Sequence, residues 1–523
     1  MMDYSQHINF LQTPQTSPIP GEAQVQNNAG GYGYAVDDWS RLHRFLILGT
    51  EGGTYYVGEH KLTVDNAEVV ERCIRADGKR TVDLIVSISD GGRAPKNDSA
   101  LFALAMATSL GNTATRKQAW YALEKVARTG THFFTFCGYR KNSFGGFSRL
   151  GKQGIGRWLQ RQQVNDLAYQ MAKYQHRNGW TWRDVLRLAR PQPNGIHDRL
   201  FDWACHGTLH PYMPSFLSGL KAMQIVTSVQ EAAAIVSEYH LTREMVPTRY
   251  LNDPKVWRAL LPNTPLTALM RNLGNLTRIG VIKPLAAETT AICQQLTNRD
   301  ALKLARIHPL TWLMALKTYS SGRGMRGSGE WNPVAQVVEA LETALPMTFD
   351  FVEPTGKRFY VGLDVSGSME SSSPLAGISC AEAGAMLALT TVKIERQYVI
   401  RGFSGEMCDL GIIRQDSFRD VIEKTRDNNF GPTDCALPMI HALNTGIPID
   451  LFLIITDNET WYGLIHPMQA LREYRRKTGI HAKLCVLAMT ANKVSIADPQ
   501  DGGCLDIVGL DTSVPTVLAA FAL

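Results

Sequence analysis

From about residue 60 to residue 140 the apolar positions recur at helical spacing. In "VDNAEVVERCIRADG", Ala67, Val70 and Ile74 share one face, and Asp77-Gly78 supplies a stop. "SALFALAMATSL" follows the cap-like Asn97-Asp98-Ser99 and ends at Gly111-Asn112, and "TATRKQAWYALEKVART" comes next. Helix starts near 64, 81, 98, 114 and 132 give a two-helix unit of about 35 residues, the size of a helical repeat. The letters themselves do not repeat. Further helical segments are expected at 160–174, 183–190, 230–238, 265–273, 286–297 and 334–344. Stacked helix pairs, as a HEAT-like α-solenoid or ring, fit this pattern; an irregular all-α bundle is the alternative.

The period changes at "FVEPTGKRFYVGLDVSGS". The runs "RFYVGLDV", "QYVIRGFS", "DLFLIITDN" and "AKLCVLAM" are apolar and β-rich, and read as buried strands. "SCAEAGAMLALTTVKIE", "DSFRDVIEKTR" and "HPMQALREYRRKTG" read as intervening helices. Strand–helix alternation predicts an α/β unit with a doubly wound parallel sheet. The expected division is a flexible tail over 1–28, a helical repeat unit over 29–355 and an α/β unit over 356–523. The tail assignment rests on the Gln, Pro, Ser, Asn and Gly content of the first residues.

No apolar run approaches the ~20 residues that span a bilayer, and the N-terminus lacks the basic and apolar regions of a signal peptide. The nine cysteines are scattered and never form a C-x-x-C pair, which argues for a reducing compartment, against structural zinc, and for burial as small apolar groups. A cytoplasmic location is expected. The net charge of +6 is unevenly spread. Residues 140–200 hold twelve Lys/Arg against three Asp/Glu, whereas 364–489 hold twelve against fifteen. Such asymmetry suggests two tasks.

The first task concerns "LDVSGSMESSSP" at 363–374. In doubly wound sheets ligands bind beyond the carboxyl ends of the strands. Asp364 ends one strand, Asp457 in "IITDNET" ends another, and Thr433 in "FGPTDC" lies on a loop between them. With Ser366 and Ser368, these hard oxygens suit a divalent metal, above all Mg²⁺. Taken alone, D-x-S-x-S is equally a capping turn. The five residues resemble the metal-ion-dependent adhesion site of von Willebrand factor A domains. That resemblance implies ligands from Asp364, Ser366 and Ser368, with Thr433 and Asp457 acting directly or through water. It also implies an open metal position that an acidic group of a partner fills. No nucleophile–base arrangement with a recognisable local signature accompanies it, so no enzyme activity is expected.

The second task concerns residues 149–190, where Arg149, Lys152, Arg157, Arg161, Lys173, Arg177 and Arg190 are interleaved with Trp158, Tyr174, Trp180 and Trp182. Cations attract phosphate, and unstacked bases stack on rings. The plain alternative is a solvated face over a core of aromatics, with His176 a bystander or a packing histidine. The strings "RLHRFLILGTEGGTYY", "KYQHRNGW", "PLTALMRNLGNLTRIGV", "ARIHPLTWLMALKTYSSGRGMRG" and "GPTDCALPMI" resemble the Ro autoantigen family, whose members carry a TROVE module. "NNAGGYGY" and "ARTGT" resemble its bacterial members.

This second resemblance implies a helical ring closed against a von Willebrand factor A domain. The ring's hole would take single-stranded 3′ ends of misfolded or structured non-coding RNA, and its outer surface a small Y RNA. Polynucleotide phosphorylase or another exoribonuclease is the implied partner of a monomeric protein acting within a ribonucleoprotein in RNA quality control. Family RNA-binding positions fall on Lys173, Arg177 and Arg190. Vertebrate relatives carry histidine at the last, so the permanent charge of Arg190 would reduce pH dependence there. Pro432 departs from the family's glycine and removes a backbone donor near Thr433. The alternative function is a metal-dependent adhesion module on a helical platform.

Overall fold

The computed structural model describes residues 12–50, 59–192, 194–305, 307–324, 329–348, 353–370, 378–426 and 431–523. Residues 1–11 of the expected tail, part of the expected domain boundary and Ser371–Pro374 of the serine-rich loop lie outside these.

The helical half begins with α1 (Asp38–Leu48), α2 (Glu59–Asp90), α3 (Asp98–Leu110), α4 (Thr113–Val126) and α5 (Gly130–Ser143). The expected stop at Asp77 is a kink inside α2, where φ −152° and ψ 90° break the helix. Asp77 Oδ1 then accepts from Arg80 N at 2.9 Å, so the stop residue caps the helix that follows it. The expected helix at 160–174 is divided. α6 spans Arg149–Arg161 and α7 spans Val164–Lys173, separated by the extended Gln162 and Gln163. Within α6, Gly154 lets Trp120 of α4 approach, because a Cβ there would lie 2.6 Å from the indole. After a short hairpin, β3 (His176–Arg177) with β4 (Trp180–Thr181), come α8 (Trp182–Ala189), α9 (Ile196–His206), α10 (Ser215–Met223) and α11 (Val229–Tyr239). α12 (Pro254–Leu260), α13 (Leu266–Arg278), α14 (Ala287–Leu296), α15 (Arg299–Ala305), α16 (Pro309–Ser320) and α17 (Ala335–Ala344) complete this half. Most helices pack on the next one or two along the chain, as stacked pairs do.

The α/β half holds a six-stranded sheet. β5 (Arg358–Asp364), β6 (Gln397–Phe403), β8 (Leu451–Thr456), β9 (Lys483–Ala488) and β11 (Cys504–Val508) are parallel, and β7 (Met407–Cys408) adds an antiparallel edge. The order β11-β9-β8-β5-β6-β7 reverses direction between β5 and β8, a topological switch point. Phe359, Val361 and Leu363 of β5 point to one face, where α18 (Cys380–Ile394) packs, and join a core continuous with that of the helical half. Tyr360, Phe452 and Ile454 point to the other, towards α20 (Leu437–Asn444) and α21 (Pro467–Thr478). α19 (Phe418–Arg426) packs on α18, and α22 (Val514–Ala522) ends the chain.

Both ends of the helical path meet this sheet unit. From α1, the buried Arg44 reaches Asp506 on β11 at 2.5 Å, and Arg93, just after α2, reaches Asp511 at 2.9 Å. From the far end, His308 Nε2 donates to Leu510 O at 2.6 Å, and Lys317 reaches Glu382 on α18 at 2.6 Å. The helical run therefore closes through the α/β half.

The expectation of a flexible tail over 1–28 does not hold for residues 12–28. Gln15 Nε2 donates to Asp434 Oδ1 at 2.7 Å, and Asn27 Nδ2 to Thr460 O at 2.6 Å. β1 (Gln24–Gln26) pairs with β2 (Tyr32–Ala35), which pairs with β10 (Val494–Ser495) after β9. Gly31 lies so near Thr460 that a Cβ would sit 2.0 Å from its carbonyl oxygen. Polar composition implied solvation, but these amides are used up on buried groups more than 400 positions away. Five cysteines are buried, the other four are partly buried, and all nine are free. No helix among the described residues is long and apolar enough to cross a membrane.

Candidate functional site

The switch point carries the hydroxyl–carboxylate cluster. β5 delivers Asp364 to its carboxyl end, and the loop turns at once: Ser366 N donates to Asp364 Oδ1 at 2.9 Å. A single 3₁₀ turn, Gly367–Glu370, then places Ser368 Oγ 3.1 Å from Ser366 Oγ. Thr456, the last residue of β8, donates to Asp364 Oδ2 at 2.6 Å. Asp457 follows, hydrogen-bonded by Ser368 and accepting from Glu459 N at 3.0 Å. Asn458 takes the left-handed conformation that this reversal needs, φ 64°. The Thr433 loop joins through its carbonyl, which accepts from Trp461 N and Tyr462 N at 3.2 and 3.1 Å. Asp364, Ser366, Ser368, Thr433 and Asp457 are all buried, on three loops tied to one sheet edge.

The electrostatics are those of a buried, anion-rich cluster. Burial pushes the Asp364 carboxyl up, against the pull of its hydrogen bonds from Ser366 and Thr456. Burial, with the charges of Asp364 and Glu459, pushes Asp457 up to about 8. Among the described residues no Lys, Arg or His forms an ion pair with Asp364, Asp457 or Glu459. Buried carboxylates either keep their protons or meet a cation. Two carboxylates with three neutral hydroxyls, all hard oxygen, fit a divalent ion of the Mg²⁺ class. Nitrogen and sulfur ligands are not part of the set, and no group of three His, Cys, Asp or Glu with metal-binding geometry occurs among the described residues.

Sequence reasoning missed what fastens this cluster from outside. Glu459 is buried and fastened by the N-terminal segment. Asn28 donates to it from its backbone N and from Nδ2, both at 2.8 Å, and Asn492 Nδ2 donates at 3.1 Å. Glu459 lay in the quoted "IITDNET", but its partners sit hundreds of positions away and leave no local signal.

The cationic candidates divide. Arg149, Lys152, Arg177 and Arg190 are exposed and carry no ion pair among the described residues. Arg157 instead lies 3.6 Å over the Tyr121 ring, and Arg161 meets Glu124 at 3.3 Å, so both partly serve the α4–α6 contact. Lys173 is half-buried, 3.6 Å from Glu244 and beside the Tyr169 and Tyr174 rings. Arg177 stands on the β3–β4 hairpin, and Arg190 caps α8 in the left-handed region. His176 is exposed, so it is not a packing residue.

The interleaved tryptophans are core and offer no stacking platform. Trp158 stacks on Phe133 at 4.1 Å, Trp182 stacks on Phe133 at 6.0 Å, and Trp180 is buried against Phe147. The direction of Trp158 and Trp182 follows from the amphipathic α6 and α8, which turn tryptophan inward and cations outward.

Residues 25–218 and 238–322 match the TROVE domain, and residues 358–522 match the Ro60 vWA domain. The chain is 40% identical over 527 residues to the RNA-binding protein RO60 of Deinococcus radiodurans, covering 98% of each. It is 31% identical over 581 residues to the RNA-binding protein RO60 of Caenorhabditis elegans, covering 96% of this chain and 90% of that one. The crystal structure of the Deinococcus radiodurans RO (RSR) protein superposes with a TM-score of 0.71 at 38% identity, over 93% of this chain and 99% of that chain. With both domains matched in order and a full-length relative at this identity, the chain belongs to the Ro60 family of TROVE-domain proteins.

Proposed function

We propose that this protein is a non-catalytic RNA-binding scaffold of the Ro ribonucleoprotein type. It binds structured non-coding RNA, including small RNAs of the Y class and single-stranded 3′ ends. The observation that carries this reading is the exposed face of 149–190, where Arg149, Lys152, Arg177 and Arg190 are left without protein anions among the described residues. Such a face attracts a polyanion and releases its counterions. The relatives named RNA-binding proteins support the same reading.

In this reading the cluster at Asp364 and Asp457 holds Mg²⁺. Asp364, Ser366 and Ser368 would hold it, with Asp457 and Thr433 acting directly or through water, and the ion would supply positive charge for an outside oxygen ligand. With only two carboxylates in the set, a partner's carboxylate is the ligand that fits. An exoribonuclease of the polynucleotide phosphorylase type is the partner class proposed.

The test is a titration of an RNA hairpin with a single-stranded 3′ tail against the protein and its Lys173→Ala/Arg177→Ala variant, at several salt concentrations. The variant binds more weakly, and its log–log salt slope falls by roughly 0.7 for each single-strand phosphate that is no longer neutralised. Identical affinity and slope would defeat the proposal.

A further inference from the structure

Beside the cationic face lies a cleft of about 410 Å³ between α7, α8, α9 and α10. Its floor is apolar, with Met171 and Leu217 fully buried. One wall is Trp203 of α9, which is only half-buried. Trp158, Trp182, Trp257, Trp312 and Trp331 each donate the indole N–H to a backbone carbonyl. Trp203 has no such bond and no paired ring among the described residues. The mouth carries two exposed cations, Arg183 at the start of α8 and Lys221 of α10, neither in an ion pair among the described residues, and the exposed amide of Gln175. Arg183 directly follows the β3–β4 hairpin that bears Arg177, and Thr181 of that hairpin lines the cleft.

We infer that this cleft takes one unpaired nucleobase of the bound RNA. The base lies against the Trp203 ring, Gln175 reads its edge, and Arg183 and Lys221 hold the flanking phosphates. This rests on the RNA-binding reading of 149–190 and adds a position where RNA is gripped by ring and shape. The volume falls in the ~300–1,000 Å³ range of small-ligand sites. An apolar floor with a ring wall and two cations at the mouth matches a flat aromatic base joined to phosphates on both sides. The tryptophans of the motif-bearing stretch are buried, whereas Trp203, outside that stretch, is half-buried and lines this cleft.

The probe is the same hairpin RNA with a ten-nucleotide single-stranded tail, together with versions carrying one abasic site at each tail position. For the unaltered protein, one abasic position lowers affinity on the order of tenfold and its neighbours do little, as the removal of one base stack requires. Trp203→Ala lowers affinity for the intact RNA about as much, and the abasic site then costs nothing further. Trp203→Phe, which keeps a ring, restores most of the binding, and Arg183→Ala lowers the salt slope. An abasic series that is flat with the unaltered protein overturns the inference without any variant. So do full affinity in Trp203→Ala and losses from Trp203→Ala and the abasic site that simply multiply. If Lys173→Ala/Arg177→Ala also leaves binding untouched, the RNA-binding reading of 149–190 fails with it; if that variant binds weakly while Trp203→Ala does not, only the cleft fails.

Discussion

The hydroxyl–carboxylate cluster and the cationic face are opposite solutions to holding charge. At the switch point between β5 and β8 every named side chain is buried, and the anions are crowded together by hydrogen bonds from distant segments. Along 149–190 the charged atoms stand mostly in solvent, and the fold supplies only the helix faces that separate them. Buried charge is expensive unless matched, so the first site would select its cation by position and by charge. Exposed charge is cheap and screened, so the second tolerates many phosphates in many registers. One chain thus carries a buried anionic cluster and an exposed cationic stretch.

The largest expected effect comes from removing the charge at the centre of the buried site. Asp364→Ala abolishes measurable Mg²⁺ binding in a calorimetric titration, because the serines and threonine are neutral and cannot replace it. If the variant binds Mg²⁺ as the unaltered protein does, the metal is not at this cluster. The contrasting change, Lys173→Ala/Arg177→Ala, lowers affinity for tailed RNA by roughly tenfold at low salt and by less at high salt. Arg177 contributes more than Lys173, since the latter is already engaged with Glu244 and Tyr169. A Lys173→Ala effect larger than that of Arg177→Ala would reverse this ranking.

A smaller effect tests whether the N-terminal segment belongs to the buried site. Asn28→Ala deprives the buried Glu459 of one of its donors at a cost of about 1–3 kcal/mol. The melting temperature drops by several degrees while the tailed RNA binds as before. No change in melting would mean that the segment is not fastened there. A pH trend tests the buried carboxylates themselves. Burial and neighbouring acids raise the Asp457 carboxyl to about 8, above the ~3.9 of an unfolded chain. In chelator, the folded protein holds a proton that the unfolded chain has released, so stability falls as pH rises between about 4 and 8. Added Mg²⁺, which binds the charged carboxylates, flattens this fall. Melting curves across that range, with chelator and with Mg²⁺, decide it; stability rising with pH in chelator would contradict it.

What the sequence disclosed follows the same contrast. β5 and β8 were legible because each is an unbroken apolar run, as a strand buried on both faces must be, and Asp364 and Asp457 were legible because they sit at the ends of those runs. The stop at Asp77 is where the helix breaks, and the division at Gln162–Gln163 displaced a helix boundary without altering the stacked order. The N-terminal segment was misread, since nothing local distinguishes an Asn that is solvated from one that binds a carboxylate 431 positions away. Residues 149–190 were read correctly as cationic, but their tryptophans were open to either assignment, because ring direction depends on which helix face the neighbours cover. Trp203 lay outside any charged run and became visible only when α7 to α10 enclosed it.

The separability of the two sites is tested most directly by one RNA titration. The tailed hairpin is titrated against the unaltered protein, Asp364→Ala and Lys173→Ala/Arg177→Ala, each in Mg²⁺ and in chelator, with folding verified by melting. The account predicts that Asp364→Ala and chelator leave RNA affinity nearly unchanged, while Lys173→Ala/Arg177→Ala weakens it in both conditions. If Asp364→Ala and chelator each weaken RNA binding as much as the Lys173/Arg177 change does, the metal belongs to the RNA site and the two-site account is wrong.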